Sequence, residues 1–406
     1  MSPLTTLEDY RSEVDESVIT DIYRLARPLY GKSMIHLNST YQGGGVAEIL
    51  SSLVPLMNDV GISAGWRILH GSPDFFNITK KFHNALQGED LNFTGIKKEV
   101  YTNINEQFSQ YTHIHHDAVI VHDPQPLPLI KYFKKRQPWI WRCHVDLSNP
   151  HPVLWDFLVN FLLRYDTIIF SSEKYRKEDL SVDYKIFQPA IDPLSVKNKP
   201  LSKEDKDFYL EKFKIPTDKP IITQISRFDK WKDPEGVIKV YNKVKKSIDC
   251  RLILCGSMAS DDPEGWDFYR KIREEYHDQV IKGDIIFITD QNDFLVNLLQ
   301  RVSDVIIQKS VKEGFGLTVT EALWKERPVV ASKVGGIPLQ ITDGKDGYLL
   351  PADNFDQFAE KIQFLLENPS EGKKIGKEGK KTVREKFLIT RLLKDYLELL
   401  LELTNK

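Results

Sequence analysis

Two loops that combine charge with glycine carry the clearest chemistry in this sequence. Residues 226–234 read SRFDKWKDP, where Arg227 offers a planar fork of donors and Lys232 a compact positive charge. Residues 312–321 read KEGFGLTVTE, where Glu313 and Glu321 flank two glycines and a predicted helix start. Cations and a helix N-terminus bind anions, and carboxylates accept hydrogen bonds from hydroxyl groups. The pattern predicts a site for a ligand that carries both a diphosphate and sugar hydroxyls.

Simpler interpretations exist for each of these loops. A charged stretch such as residues 226–234 is usually a solvated loop, and Glu321 alone can be a partner of the helix dipole, worth roughly 0.3–1 kcal/mol. However, the first loop follows a predicted strand and opens a helix at Pro234, which suits the first helical turn. Its position favours binding, because ligands of parallel sheets sit beyond the carboxyl ends of the strands.

A third candidate anion site lies near the N-terminus, at Gly43, Gly44 and Gly45. The three glycines separate a predicted strand, residues 34–37, from a helix that should begin near Val46. Without Cβ atoms the backbone can approach a ligand closely, and the helix start supplies free N–H groups. We expect a diphosphate contact here. The alternative is an ordinary turn, and G-x-G-x-x-G, the dinucleotide-binding fingerprint, is absent.

Polar residues follow two further predicted strands. Asp123 and Gln125 lie in VHDPQP, residues 121–126, while His144 and Asp146 lie in WRCHVDLS, residues 141–148. His144 should project beyond the strand that ends near Trp141, although a histidine at a strand end can also be purely structural. Asp123 precedes Pro124 and can equally be a turn residue.

Metal binding is not expected. The histidines around the third strand lack an acidic partner that would complete a ligand set; they are His113, His115, His116 and His122. The D-x-D sequence Asp205-Lys206-Asp207 lies in a lysine-rich stretch, where solvated charges are the better interpretation. Arg227, Lys232 and helix ends should take the place of a cation.

The elements that position these residues alternate between short apolar runs and amphipathic stretches, which predicts βα units and parallel sheets. Predicted strands cover residues 34–37, 118–121, 139–141, 167–170, 221–225, 251–255, 285–288, 304–308 and 328–331. Residues 7–27 read as a charged helix, and residues 354–403 are almost continuously helical. A chain of 406 residues fits two domains. We therefore expect an α/β protein with two doubly wound domains and a cleft between them.

Composition excludes several classes of protein. Hydrophobic residues make up 41% and charged residues 28%, which is ordinary globular composition, and the net charge of −2 gives no general attraction for nucleic acid. No stretch approaches 18 apolar residues, so a membrane span is not expected. Three cysteines without a CxxC pair and the polar N-terminal segment predict a cytoplasmic protein.

The motifs EGFGLT-x-x-E and, upstream, SRFD-x-x-K resemble the family-4 retaining glycosyltransferases of the GT-B fold. The resemblance implies two facing Rossmann-like domains. It also implies that Glu313 binds the donor sugar and Glu321 the nucleotide ribose, while Arg227 and Lys232 hold the diphosphate. Backbone amides of Leu317 and Thr318 would add phosphate contacts.

The residue pattern predicts the domain boundaries, and the resemblance adds the return of the last helix to the first domain. An acceptor-binding domain would span residues 1–195, with a helical extension at 1–30, followed by a linker at 196–216. A nucleotide-sugar-binding domain would span 217–385, and a helix at 386–406 would return to the first domain.

Three motifs in the N-terminal half are more specific than the general family pattern. HNALQG at residues 83–88, VHDPQP and WRCHVDLS together look like the trehalose glycosyltransferring synthases, which join glucose from a nucleotide donor to free glucose. This implies that Asp123, Gln125 and Asp146 contact the acceptor and that His144 faces the transferred glucose. The implied catalytic group is His144, Arg227, Lys232 and Glu313. No cofactor or metal is implied; the partners would be sugars and nucleotide sugars, with no nucleic acid, no membrane and a possible homodimer.

Other functions fit the same residues. A trehalose phosphorylase would use phosphate in place of the diphosphate, but a ribose-binding Glu321 would then have no purpose. Another family-4 transferase is a further candidate, as is a sugar-nucleotide sensor that has lost turnover. The sequence does not select among ADP-, UDP- and GDP-glucose.

Overall fold

The computed structural model describes residues 5–256, 263–290 and 292–404, and the chain forms two compact units. Unit 1 comprises Met1–Ala190 together with Ile389–Lys406, and unit 2 comprises Ile191–Leu388. Each unit is an α/β domain with one six-stranded sheet in which all neighbouring strands are parallel.

Unit 1 has the strand order β2-β1-β3-β4-β5-β6. Its elements in chain order are α1 (Glu16–Ala26), β1 (Ser33–Asn38), α2 (Gly45–Asp59), β2 (Ser63–Ile68), α3 (Pro73–Leu86), α4 (Gly95–Tyr111), β3 (Ala118–His122), β4 (Trp139–Arg142), α5 (Pro152–Leu162), β5 (Thr167–Phe170) and β6 (Asp183–Ile186). The last helix of the chain, α14 (Ile389–Thr404), also belongs to this unit and packs on α1 and α2.

The two faces of the unit 1 sheet differ in polarity. Alternate residues such as Leu37, Val121 and Trp141 point into one apolar core. The intervening positions of the same strands hold buried polar side chains, among them His36 and Arg142. The ring of Tyr396 on α14 contacts His36 edge to face, so α14 helps to cover this polar face.

Unit 2 has the strand order β12-β11-β10-β7-β8-β9. Its elements are α6 (Lys203–Lys212), β7 (Ile221–Ile225), α7 (Pro234–Lys245), β8 (Arg251–Cys255), α8 (Pro263–Glu275), α9 (His277–Ile281), β9 (Ile285–Ile288), α10 (Asp293–Val302), β10 (Val305–Gln308), α11 (Leu317–Trp324), β11 (Val329–Ser332), β12 (Tyr348–Leu350), α12 (Phe355–Glu367) and α13 (Pro369–Lys386). In both sheets the strand order reverses direction near the centre, as in doubly wound folds.

The nine strands predicted from sequence are all present, with bounds that shift by at most one residue. Three strands were missed: β2, β6 and β12. Most of their residues are half-buried rather than buried, so they lack the continuous apolar run of the inner strands. The predicted helix at 7–27 is instead a 3₁₀ helix (Leu7–Ser12) followed by α1.

The segment predicted as a linker, residues 196–216, is grouped with unit 2 in the structure. Leu201 and Ile215 are buried in a core cluster with Ile221 and Leu295, and the Tyr209 ring packs against Phe294. The charged side chains of α6 are mostly exposed, which gives the segment the polar composition of a linker although Leu201 and Ile215, on either side of the helix, are buried. The D-x-D residues Asp205 and Asp207 lie on this helix.

No helix in the described ranges combines the length and apolar character needed to cross a membrane.

Candidate active site

An ion pair joins the two charged loops of unit 2. The Lys232 ammonium donates to Glu313 Oε2 at 2.6 Å, and both side chains are largely buried. The Ser310 hydroxyl donates to the same carboxylate oxygen at 3.2 Å. Two residues 81 positions apart in sequence are thus brought together, because they follow β7 and β10, which are neighbours in the sheet.

Gln224, at the end of β7, holds the two loops in register. Its side-chain amide donates to the Lys232 carbonyl at 2.9 Å, and its carbonyl accepts from the backbone N–H of Lys309 at 2.9 Å. The backbone of Val311 also donates to the Trp231 carbonyl at 2.8 Å. These bonds order both loops through the backbone, so the geometry of the ion pair does not depend on the ion pair alone.

The turn before α11 requires glycine at Gly316. This residue has φ +86°, which L side chains rarely adopt, and an added Cβ would lie 3.1 Å from Glu313 Cγ. Gln340 supports the turn by donating to the Phe315 carbonyl at 2.6 Å. The turn leads into α11, whose first N–H groups, at Leu317 and Thr318, have no partner within the helix because helix geometry supplies none there. An anion can therefore be bound at this helix start.

Glu321 is buried inside α11 and held by a polar network. Gln300 on α10 donates its side-chain amide to Glu321 Oε2 at 3.0 Å, and the Lys197 ammonium lies 3.7 Å from Oε1. The buried Lys325 ammonium fixes Gln300 by donating to its Oε1 at 2.6 Å. Sequence reasoning did not identify Gln300 and Lys325 as supporting residues. The signal was a polar residue within an otherwise apolar stretch of the sequence.

Arg227 does not join the Lys232–Glu313 ion pair. Its side chain is about half exposed, with 50% of its surface accessible, and its guanidinium lies 3.2 Å from Asp229 Oδ2. Of the four unit 2 side chains singled out from sequence, the structure joins Lys232 to Glu313 and leaves Arg227 on the surface of the same loop.

In unit 1, the three glycines form an exposed loop at the carboxyl end of β1. Gly43 and Gly44 have φ +76° and +89°, and Gly45 begins α2. A Cβ on either of the first two would meet no atom within 4 Å, so the requirement for glycine is conformational. The loop is anchored at its start, where Asn38 accepts from the Trp66 indole at 2.7 Å and donates to the Thr40 carbonyl at 2.6 Å.

Asp123 and His144 are held together at the carboxyl ends of β3 and β4. Asp123 has φ +60°, an uncommon value outside glycine, and its Oδ1 accepts the backbone N–H of His144 at 2.8 Å. Its own backbone N–H donates to the Arg142 carbonyl, and its carbonyl accepts from the Trp141 indole. Burial raises the pKa of Asp123 to about 7, and the hydrogen bond from His144 opposes that rise only in part.

His144 is bonded to His122, and His122 to His36, each through a 3.0 Å contact between ring nitrogens. His36 and His122 are buried, and His144 is partly exposed. His122, one of the four histidines for which no metal site is predicted, lies in this row. Within the described residues, no three or more His, Cys, Asp or Glu side chains are arranged so that they could hold a metal ion together. His36 was missed from sequence, although a histidine inside a predicted buried strand was a signal.

Asp146 and Gln125 have local roles in the structure. Asp146 Oδ1 accepts both the backbone N–H of Ser148, at 2.8 Å, and its hydroxyl, at 2.5 Å, which closes a short turn. The Gln125 carbonyl accepts from the Asn105 amide at 3.1 Å, while its side-chain Oε1 is buried without a hydrogen bond. An acceptor-binding role for either side chain stays a prediction.

Comparisons with known proteins agree on both halves of the chain. Residues 36–177 match the family model described as trehalose synthase, N-terminal domain, and residues 205–382 match glycosyl transferases group 1. A trehalose synthase of Thermococcus litoralis is 48% identical over 402 residues, covering 97% of this chain and 96% of that protein. A trehalose phosphorylase of Pleurotus pulmonarius is 30% identical, covering 86% of this chain but only 54% of that protein.

Among solved structures, a trehalose-6-phosphate synthase, OtsA, superposes with a TM-score of 0.75 at 14% identity, covering 91% of this chain and 99% of that one. This likeness shows the fold, which is GT-B, as expected from the two sequence motifs. The identity to the Thermococcus protein along nearly the whole of both chains shows the family. The chain belongs to the trehalose synthase family and is a glycosyltransferase of the trehalose synthase type.

Proposed function

We propose that the enzyme transfers glucose from a nucleoside-diphosphate glucose to free glucose and forms trehalose with retention at the transferred anomeric carbon. The observation that carries the choice of donor is the polar network around Glu321. A buried carboxylate fixed by Gln300, next to a helix start, suits a ligand with ribose hydroxyls beside a diphosphate. A phosphorylase has no ribose to bind.

In this proposal the diphosphate lies at the start of α11, on the amides of Leu317 and Thr318. Arg227, Lys232 and the amides stabilise the charge that grows on the leaving group as its bond to the anomeric carbon breaks. The exposed position of Arg227 suits a side chain that moves onto the ligand when it binds. Lys232 is paired with Glu313 in the ligand-free enzyme, and on binding its ammonium also faces the diphosphate while Glu313 accepts from sugar hydroxyls.

The acceptor is proposed to bind unit 1, where Asp123 accepts from a hydroxyl of free glucose and His144 faces the transferred glucose. Gly43–Gly45 would add backbone contacts to the phosphates, and Gln125 and Asp146 would add contacts to the acceptor. The new bond joins the acceptor's anomeric oxygen to the donor's anomeric carbon. The proton of the acceptor's anomeric hydroxyl passes to an oxygen of the departing phosphate. This route needs no metal, since cations of the protein supply the positive charge.

Product analysis tests the proposal directly. The purified protein is incubated with glucose and each of ADP-, UDP- and GDP-glucose in the presence of a chelator. We expect trehalose from at least one donor, with the nucleoside diphosphate released in equal amount. Trehalose from glucose 1-phosphate plus glucose, with none from any nucleotide donor, would establish the phosphorylase reaction instead.

Glu321→Gln separates the two reactions further. It keeps the shape of the side chain and removes its charge. A nucleotide-dependent transferase should lose affinity for the nucleotide sugar, while a phosphorylase should show no change in its use of glucose 1-phosphate. Binding of a nucleotide sugar without any product would identify a sensor.

A further inference from the structure

Three histidine side chains form a hydrogen-bonded row across the polar face of the unit 1 sheet. Nδ1 of His36 lies 3.0 Å from Nε2 of His122, and Nδ1 of His122 lies 3.0 Å from Nε2 of His144. The rings of His122 and His144 are stacked, and the edge of the row at His36 is closed by Tyr396 of α14. Only His144, at the open end, is partly exposed.

The sheet register produces this row. His36 pairs with Ile120, which is two residues before His122, and His122 pairs with Arg142, which is two residues before His144. Side chains two residues apart lie on one face of a strand. Each step therefore crosses to the next strand and moves two residues toward the carboxyl edge, so the row begins inside the sheet and ends beside Asp123.

The two hydrogen bonds make the tautomers of the three rings depend on one another. Burial lowers the pKa of His36 to about 3 and lowers the pKa of His122 and His144 well below the usual value, so all three rings are neutral. A neutral imidazole has one N–H and one lone pair. Each contact in the row needs one of each. Only two arrangements satisfy both contacts. In one, His144 donates to His122 and His122 donates to His36; in the other, His36 donates to His122 and His122 donates to His144.

The far end of the row distinguishes these arrangements. His36 Nε2 is buried and has no hydrogen-bond partner. If the N–H groups point toward His36, this nitrogen carries an unpaired buried N–H; if they point toward His144, it carries only a lone pair. Buried N–H groups without an acceptor are the rarer defect in proteins. The second arrangement is therefore favoured, and it leaves His144 with its proton on Nδ1.

We propose that His36 and His122 are positioning residues that hold His144 in the Nδ1–H tautomer, so that its Nδ1 donates to a hydroxyl of the bound sugar. The contact with sugar rests on the proposed function, whereas the tautomer is a property of the free protein. The charged and titratable groups around the row are Arg142 on β4, Tyr396 on α14 and Asp123 after β3. None of these bonds to a ring nitrogen of the row, so the row itself sets the tautomer.

The test is ¹⁵N spectroscopy of the free protein labelled on histidine, with signals assigned by single substitutions. We expect His144 to show a protonated Nδ1 and an unprotonated Nε2. The reverse pattern would overturn the proposal. In His122→Phe an aromatic ring remains but both nitrogens are lost, and His144 should become a mixture of tautomers. An unchanged His144 in that variant would also overturn the proposal.

A rescue experiment separates positioning from packing. The amide nitrogen of Asn occupies nearly the place of histidine Nδ1, so His122→Asn can still donate to His144 Nε2. We expect kcat to fall at least about tenfold in His122→Phe, because the wrong tautomer presents a lone pair to the sugar, and to recover largely in His122→Asn. A fall in both variants alike, with the His144 tautomer retained, would assign His122 a packing role and overturn the proposal.

Ile120→Ala is the matched control. Ile120 is buried on the same face of β3, beside His36 in the register, and has no polar atom in its side chain. Its truncation should lower the melting temperature without altering the tautomer or kcat. If His122→Phe does not fold, the wild-type spectrum alone decides the tautomer. If the wild-type enzyme forms no trehalose from any donor, the proposed function fails while the tautomer assignment is still tested.

Discussion

The two units build their candidate sites from opposite kinds of group. In unit 2 the site consists of charges, with Lys232 and Glu313 paired at 2.6 Å and Glu321 fixed by Gln300. In unit 1 the site consists of groups that carry little charge, since the pKa values of the histidines are lowered and the pKa of Asp123 is raised to about 7. A diphosphate is a charged ligand, whereas a free sugar is neutral. The contrast teaches that each unit is matched in electrostatic character to the ligand proposed for it.

Removing the charge at the unit 2 site should have the largest effect. In Lys232→Ala we expect kcat to fall about 100- to 1000-fold, because the leaving group loses a preorganised cation and Glu313 loses its partner. Steady-state kinetics with the preferred donor provide the measurement.

Lys239→Ala is the control for this change in charge, because Lys239 pairs with Glu235 on the exposed surface of α7. Such surface pairs contribute little. Equal rates for Lys232→Ala and Lys239→Ala would show that the charge at position 232 has no part in turnover.

A smaller loss is expected from disturbing the turn beside the ion pair. In Gly316→Ala the new Cβ meets Glu313, and the left-handed backbone costs about 1–2 kcal/mol. We expect kcat to fall about tenfold to hundredfold because Glu313 is displaced. Gly283→Ala is the matched control, since Gly283 has φ +71° and open space around its Cβ position. Both variants should lose similar stability, but only the first should lose activity.

Removing a hydrogen bond to Glu321, while keeping Glu321 itself, should weaken binding of the nucleotide sugar more than it lowers turnover. In Gln300→Leu we expect KM for the nucleotide sugar to rise about tenfold, because the carboxylate loses its buried donor. Asn297→Leu, which removes another buried amide from α10, should destabilise the protein without raising this KM. An increase in both would point to general loosening of the helix and not to Glu321.

The smallest effect concerns stability in unit 1. The folded protein holds the Asp123 proton up to a pKa of about 7, against 3.8 for the ordinary carboxyl group. This group therefore stabilises the fold fully below about pH 4 and loses that contribution as pH rises through about 7. Asp123→Asn still accepts from His144 and removes the titration.

We expect the melting temperature of Asp123→Asn relative to wild type to be higher at pH 8 than at pH 5, by a few degrees, at about 2–4 °C per kcal/mol. Thermal unfolding monitored by circular dichroism at both pH values measures this difference. A constant difference between the proteins would show that Asp123 titrates normally.

Much of this architecture was predictable, and the failures have physical causes. Inner strands such as β3 and β8 are fully buried, so their sequences are largely apolar. The edge strands β2 and β12 are partly exposed and carry mixed residues. Lys232 and Glu313 were each singled out from a motif, but their pairing follows from the neighbouring positions of β7 and β10 in the sheet and was not predicted. The His36–His122 contact spans 86 residues and depends on strand register, which no local pattern records.

The assignment of α14 to unit 1 has a consequence for synthesis on the ribosome. Residues 191–388 are contiguous, so unit 2 can fold as soon as its own segment has emerged. The polar sheet face of unit 1, with His36, lacks Tyr396 until α14 is translated, after all of unit 2. The first unit to be made is therefore the last to be finished. During that interval a nascent chain exposes the partly formed first domain, where a chaperone or a protease has its best opportunity to act.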